Sequence, residues 1–319
     1  MNADGSVEPT ADAMQVVILE RNTLVGRKLA RLVLATGASA VALDEPAALG
    51  GAIDGADVVC ADAFDGDAVV EQLRGRPGLR GVLWTAEPLR RSLRYLVEST
   101  GINHVLARRD FESAPRPGEV VMLARRLAGA AAPALGAYLD WGFSAIDLDV
   151  RATADRDAAA GRIQEFIAAL GAPRRIAEMF AELGHELIMN AMYDAPVDAF
   201  GRVKYAADRK ADIALADHER PALRLATDGT RIALQVRDPF GRLERRHVVD
   251  GLARGLAGGE LDRSHGGAGL GMLVCHNAST GLWFDVVPGQ RTEVTALLEL
   301  DVNLRELRTS ARSLHFWRH

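Results

Sequence analysis

The sequence predicts two different folds in one chain: an α/β doubly wound parallel sheet over 14–127, then an α+β domain over 145–303. Three observations carry this expectation. In the first part, short apolar runs alternate five times with helix-patterned stretches, the rhythm of a parallel sheet covered by helices. The stretch 128–136, AGAAAPALG, is a break in composition and reads as part of a linker over 128–144. After it, Ala145-Ile-Asp-Leu-Asp-Val150 alternates with period two, the mark of a strand buried on one face. A chain of 319 residues suits two domains.

The elements follow in order. Residues 1–13 are small and polar and are expected to be disordered. Gln15-Val-Val-Ile-Leu19 is a continuous apolar run that suits a strand buried on both faces. The spacing then predicts helices over 24–37, 46–53, 67–73, 89–98 and 119–129. Between them it predicts strands over 40–43, 57–61, 79–84 and 104–107. In the second half, helices are expected over 155–170 and 173–193. The stretch 196–221 is polar and weakly patterned, an insert for which lid and partner-surface readings both stand open. Asp228-Gly229 between alternating runs signals a hairpin of strands 222–226 and 231–237. Strands over 281–287 and 292–300 close the sheet, and 304–319 reads as a C-terminal tail that frays or docks. No internal repeat is visible.

Composition narrows the function classes. The chain is 48% hydrophobic and 25% charged, as a globular protein is, and holds no apolar run of membrane-spanning length. Nothing at its start resembles a secretory signal. Its two cysteines, Cys60 and Cys275, lie in apolar runs and exclude a disulfide scaffold, so a cytoplasmic setting is expected. A net charge of -5 argues against a nucleic-acid partner, and no membrane partner is expected. The preference for Arg over Lys, with abundant Ala, fits a GC-rich bacterial genome. Trp141, Trp283 and Trp317 read as core or interface anchors. His218, His247, His265 and His276 lack metal-ligand spacing.

Three pieces of the second half point to chemistry. Glu186 and Asn190 lie four apart on a predicted helix, so a carboxylate and an amide share one face, where they suit water orientation and Mg²⁺ binding through oxygen. Asp238 leaves a strand into a turn at Val236-Arg-Asp-Pro-Phe-Gly241 and is placed to accept from an amino group. Gly266-Gly-Ala-Gly-Leu-Gly-Met272 precedes an apolar helical stretch, an arrangement that lets backbone N–H groups reach phosphate oxygens.

In this order, residues 145–300 resemble the GHKL-superfamily ATP-binding module shared by gyrase, heat-shock chaperones, histidine kinases and MutL, and most nearly the anti-sigma-factor serine kinases. The resemblance implies ATP and Mg²⁺ as cofactors. Glu186 would be the general base or water-positioning acid, and Asn190 the Mg²⁺ ligand. Asp238, with Gly241 in the same box, would face adenine. Gly267, Gly269, Leu270 and Gly271 would form the phosphate loop, and Arg263 would face the γ-phosphate. The Asp box departs from the family's Asp-x-Gly-x-Gly, because Phe240 and Arg242 stand where the two glycines are usual. His185 resembles a histidine kinase's phospho-acceptor superficially, but there is little room here for the helical hairpin that carries the acceptor, so a neighbour of Glu186 or a packing residue is the expected role.

Residues 14–127 resemble a response-regulator receiver. Asp57-Val-Val-Cys-Ala-Asp62 is similar to the strand that ends in the phospho-acceptor, which places Asp62 there. Glu20 corresponds to the acids after the first strand, Thr85 to the switch hydroxyl, and Arg108 stands in place of the usual Lys. Only one acid follows the first strand, and Arg21 beside it is a competing cation. Both an Asp62 phospho-acceptor and a degenerate receiver used for docking or dimerisation remain open.

The whole reads as a bacterial signal-transduction protein of two-component type. Its kinase-like domain, under control of the receiver-like domain, would phosphorylate or sequester a partner protein. That partner would be a sigma-factor regulator, a response regulator or a histidine kinase, and a homodimer is implied by both resemblances. The alternative is a non-catalytic nucleotide-binding or anti-sigma-type scaffold module.

Overall fold

The computed structural model describes residues 13–140, 142–257 and 270–319. The expectation of disorder over 1–13 therefore falls, except for Ala13, outside the described residues, as does Trp141. The chain divides into two compact units, Met1–Ala132 and Pro133–His319.

The first unit alternates strand and helix throughout. Its elements are β1 (Gln15–Leu19), α1 (Thr23–Leu34), β2 (Ser39–Leu43), α2 (Leu49–Ala52), β3 (Val58–Asp62), α3 (Gly66–Leu73), β4 (Arg80–Thr85), α4 (Leu89–Glu98), β5 (Ile102–Ala107) and α5 (Pro117–Leu127). All strand pairs are parallel, in the order β2-β1-β3-β4-β5. This is the doubly wound order of receiver domains, with its switch point between β1 and β3. All five residues of β3 are buried, which is why its sequence is a near-continuous apolar run. Asn22 starts α1 by accepting from the N–H groups of Leu24 and Val25 at 3.1 and 3.3 Å.

The second unit is a mixed sheet with packed helices. It comprises β6 (Ser144–Leu148), α6 (Thr153–Ala169), α7 (Arg174–Met189), β7 (Ala222–Thr227), β8 (Arg231–Asp238), α8 (Arg245–Leu256), α9 (Leu270–Asn277), β9 (Gly281–Val287), β10 (Arg291–Glu299), α10 (Leu304–Thr309) and β11 (Ser313–Arg318). Strand order is β6-β7-β8-β10-β9-β11, antiparallel except for the parallel β9–β11 pair. Helices α6, α7, α9 and α8 pack in that sequence, and α7 and α9 also meet the sheet.

The expected hairpin is present. Gly229 has φ +87°, which glycine adopts without strain. Beside it, the Asp228 carboxylate accepts from the N–H groups of Thr230, Arg231 and Asp140 at 2.7–2.8 Å. Burial pushes that carboxyl upward, but these donors outweigh it and hold it at about 2.

The end of the chain is no loose tail. Residues 304–309 form α10, and β11 pairs with β9 from Ser313↔Gly281 to Arg318↔Val286. Trp283 is buried, meeting Tyr138 edge-on at 5.3 Å and stacking on His315 at 5.2 Å. Buried Arg312 closes the junction. Its guanidinium donates to the carbonyls of Ser279 at 3.0 Å and Asn277 at 3.3 Å, satisfying groups at the α9 C-terminus where a cation is favoured. Burial lowers its pKa to about 10.

His276, on the last turn of α9, is 1% exposed, and burial followed by Arg312 lowers its pKa to about 3. Between that value and the ordinary 6.5 the unfolded chain binds a proton that the folded chain does not. Stability therefore falls as pH drops through this window. From pH 7 to pH 5 the loss from this group is about 2 kcal/mol. Denaturant unfolding at both pH values should show this loss in the wild type but not in His276→Gln. Equal losses in the two proteins would remove His276 as the cause.

Candidate functional site

Helix α7 delivers the central pair. Ile176, Ala177, Phe180, Leu183, Gly184, Leu187 and Ile188 bury one side of it, at spacings that keep an apolar stripe. Glu186 and Asn190 are half-buried. The helix then loosens into a π-helical turn, Asn190–Asp194. Such turns recur at functional sites because they re-aim side chains that a regular helix would point elsewhere.

A cavity of about 280 Å³ opens beside this turn. That is near the lower end for small-ligand pockets. Its apolar lining is Leu187, Ala191, Val236, Met272, Phe284 and Val294. Asn190, Asp194, Asp238 and Thr292 supply oxygen, Arg242 and Arg254 supply positive charge, and His247 also lines the cavity.

Asp238 is 8% exposed and terminates β8. Its Oδ1 accepts from Phe240 N at 2.9 Å and from Gly241 N at 3.3 Å. Thr292 of β10 lies opposite it in register. Burial raises the carboxyl above its ordinary range, and the N–H donors and Thr292 oppose the rise. Gly241 has φ +64°, and a Cβ there would collide with the Val287 carbonyl and lie 2.9 Å from the nitrogens of Gly289 and Arg291. The β9–β10 turn thus closes over the Asp box, and only glycine fits at this point. Arg242 donates to the Asp194 carbonyl at 2.8 Å.

Of the expected site residues, Asn190 and Asp238 meet at the cavity. Glu186 lies one turn before Asn190 with its carboxylate against Gly271, where an added Cβ would clash with it. Gly271 therefore makes room for the acid. Leu270 opens α9. Arg263, Gly267 and Gly269 lie outside the described residues. His185 is half-buried, 3.7 Å from Asp157, and burial, then Arg156, lowers its pKa. Sequence reasoning missed Asp194, Arg209, Arg254 and Thr292. Asp194 had a signal, since it follows Asn190 at i+4. Thr292 is placed by strand register, which a single sequence does not display.

The first unit brings together Glu20, Asp62, Thr85 and Arg108 at the carboxyl ends of its strands. Arg108 bridges the two acids, with Nη1 3.0 Å from Glu20 Oε2 and Nη2 2.7 Å from Asp62 Oδ2, all three side chains being buried. Glu20 also accepts from Trp84 Nε1 at 2.8 Å and Asn22 N at 3.1 Å. Burial raises the Asp62 carboxyl above its ordinary value, while Phe64 N–H and Arg108 pull it down. The Thr85 hydroxyl accepts from Glu87 N at 2.9 Å. Arg21 does not compete here as expected. It forms a forked pair with Asp65, at 2.8 and 2.6 Å.

No family model matches the chain, and no curated protein matches it. Among solved structures it is similar to a response regulator receiver protein from Burkholderia phymatum, at 18% identity over 38% of this chain and 99% of that one, with a TM-score of 0.32. It is similar to a CheY-like receiver domain protein from Methanospirillum hungatei, at 11% identity over 37% of this chain and 95% of that one, TM-score 0.32. The SiaB-SiaC complex from Pseudomonas aeruginosa matches at 10% identity over 49% of this chain and 88% of that one, TM-score 0.30. The α/β fold of the first unit rests on its own all-parallel strand order, β2-β1-β3-β4-β5. Among the described residues no helix is long and apolar enough to cross a membrane.

Proposed function

We propose that the second unit binds ATP with Mg²⁺ and acts as a GHKL-type protein kinase in bacterial signalling, under control of the receiver-like unit. The observation that carries this reading is one cavity whose lining combines apolar side chains, a buried acceptor at Asp238 and the guanidinium groups of Arg242 and Arg254. Such a lining offers contacts to a flat apolar base, to its amino group and to a polyanion.

The donor set suits the metal as well. Asn190 and Asp194 offer hard oxygens, the ligands Mg²⁺ prefers. Bound there, Mg²⁺ would neutralise charge on the nucleotide phosphates. The chain's own groups do the rest. Asp238 accepts from the base, the arginines position the phosphates, and Glu186 takes the proton of the attacking hydroxyl. That hydroxyl belongs to a partner protein in signalling. The receiver-like unit acts by docking, because Asp62 must release Arg108 before it could attack a phosphoryl group.

Calorimetric titration with a non-hydrolysable ATP analogue and Mg²⁺ tests the site. The wild type should bind, and Asp238→Asn should weaken binding at least about 100-fold, the loss expected when a buried acceptor becomes mispaired. Glu186→Ala should bind the analogue and lose ATP turnover. No binding by the wild type would overturn the nucleotide reading. Binding without any turnover that depends on Glu186 would leave a module that sequesters its partner.

A further inference from the structure

Asn190 and Asp194 already hold a cation, and it belongs to the chain. Arg209 lies in the 196–221 segment, in a turn where Asp208 N donates to Tyr205 O and Ala211 N to Asp208 O, both at 3.1 Å. That turn is strapped down on its far side. Tyr193 Oη donates to Ala211 O at 2.8 Å, Ile213 N donates to Thr153 Oγ1 at 2.9 Å, and Thr153 N donates to Ile213 O at 3.0 Å. The strap fixes the Arg209 backbone against the helix end that carries Asn190.

The Arg209 side chain is 13% exposed. Its Nη2 donates to Asn190 Oδ1 at 3.1 Å and lies 3.6 Å from Asp194 Oδ2. Its Nε is buried with no hydrogen-bond partner among the described residues. The guanidinium is therefore held through the amide and the carboxylate that converge on it from the π-helical turn after α7. A divalent ion on Asn190 Oδ1 would sit within a few ångströms of this charge, where like-charge repulsion is strong in a partly buried site. Metal and guanidinium exclude each other.

We propose that Arg209 occupies the cation position between Asn190 and Asp194, that a divalent metal enters only by displacing it, and that Asp194 is then a second protein ligand of the metal. The inference rests on the reading of Asn190 as a metal ligand, but its test needs no nucleotide. The 196–221 segment thereby becomes the element that responds to metal, since it loses an anchor when metal binds.

The experiment is titration of the full chain with Mn²⁺ alone, followed by electron paramagnetic resonance. Arg209→Gln should bind Mn²⁺ at least about tenfold more tightly than the wild type, the scale of one charge-assisted hydrogen bond removed from competition. Adding Asp194→Asn to that variant should abolish the gain. Arg209→Lys keeps the charge on a shorter side chain without the planar guanidinium, so it should fall between the two. It also serves if the glutamine variant does not fold. Unchanged or weaker Mn²⁺ binding in Arg209→Gln, or in Arg209→Lys should the first not fold, overturns the proposal. A tightened Mn²⁺ site in a chain that binds no ATP analogue would uphold this proposal and remove the nucleotide reading. Analogue binding with equal Mn²⁺ affinity in both proteins would do the reverse.

Discussion

Gly241→Ala should destabilise the second unit by at least about 3 kcal/mol and abolish binding of the ATP analogue, because two separate costs fall on one methyl group. The first is the backbone. At φ +64° an alanine costs about 1 kcal/mol relative to glycine. The second is space. The methyl would run into the Val287 carbonyl and the nitrogens of Gly289 and Arg291, which belong to backbone that does not move aside like a side chain. The damage would not stay local. Gly241 N donates to Asp238 Oδ1, so shifting the turn withdraws a donor from a carboxylate that lines the cavity. Gly289→Ala is the control. It also has positive φ, +71°, but nothing lies within 4 Å of its added Cβ. It should cost only about 1 kcal/mol, measured by urea unfolding, and leave binding intact. Equal losses in the two variants would show that the close approach of the β9–β10 turn does not matter.

The same box shows what a sequence displays and what it hides. Asp238 and Gly241 stood out because a strand pattern ends in a turn, and turns use few residue types. The reason for Gly241 was hidden, since Val287 and Gly289 are far along the chain and meet it only through strand pairing. Helix α8 escaped notice for a related reason. Gly251 and Gly255 weaken its helical pattern, yet an added Cβ at Gly255 would press on Leu273 of α9, so this glycine is a packing residue. Strand β11 was missed because a short aromatic run at a chain end looks like a strand only beside β9. Elements with their own periodicity, such as β1 and α4, fell within a residue of expectation. Arg209 carried no signal at all. It is one arginine in a polar segment, and its role comes from the strap that Thr153 and Tyr193 make.

In the first unit too, a guanidinium lies between oxygens that a receiver would use for metal, and removing it should have the largest effect there. Arg108→Ala leaves Glu20 and Asp62 as two buried carboxylates without their shared counter-ion. Breaking such a buried set costs about 3–5 kcal/mol. Asp62 already has a raised pKa, and losing Arg108 raises it further. A carboxyl whose folded pKa lies above its unfolded value destabilises increasingly as pH rises through that interval, so the variant should lose more at neutral pH than at pH values below the ordinary carboxylate range. Mg²⁺ should then restore stability, because the cation that excluded it is gone. At ten times its dissociation constant a ligand of the folded state stabilises by about 1.4 kcal/mol. Thermal unfolding of both proteins across a Mg²⁺ series reads this directly. The wild type should show no Mg²⁺ shift in the first unit, whereas the variant's midpoint should climb with concentration. A variant indifferent to Mg²⁺ would mean that Glu20 and Asp62 converge on an arginine without forming a metal site.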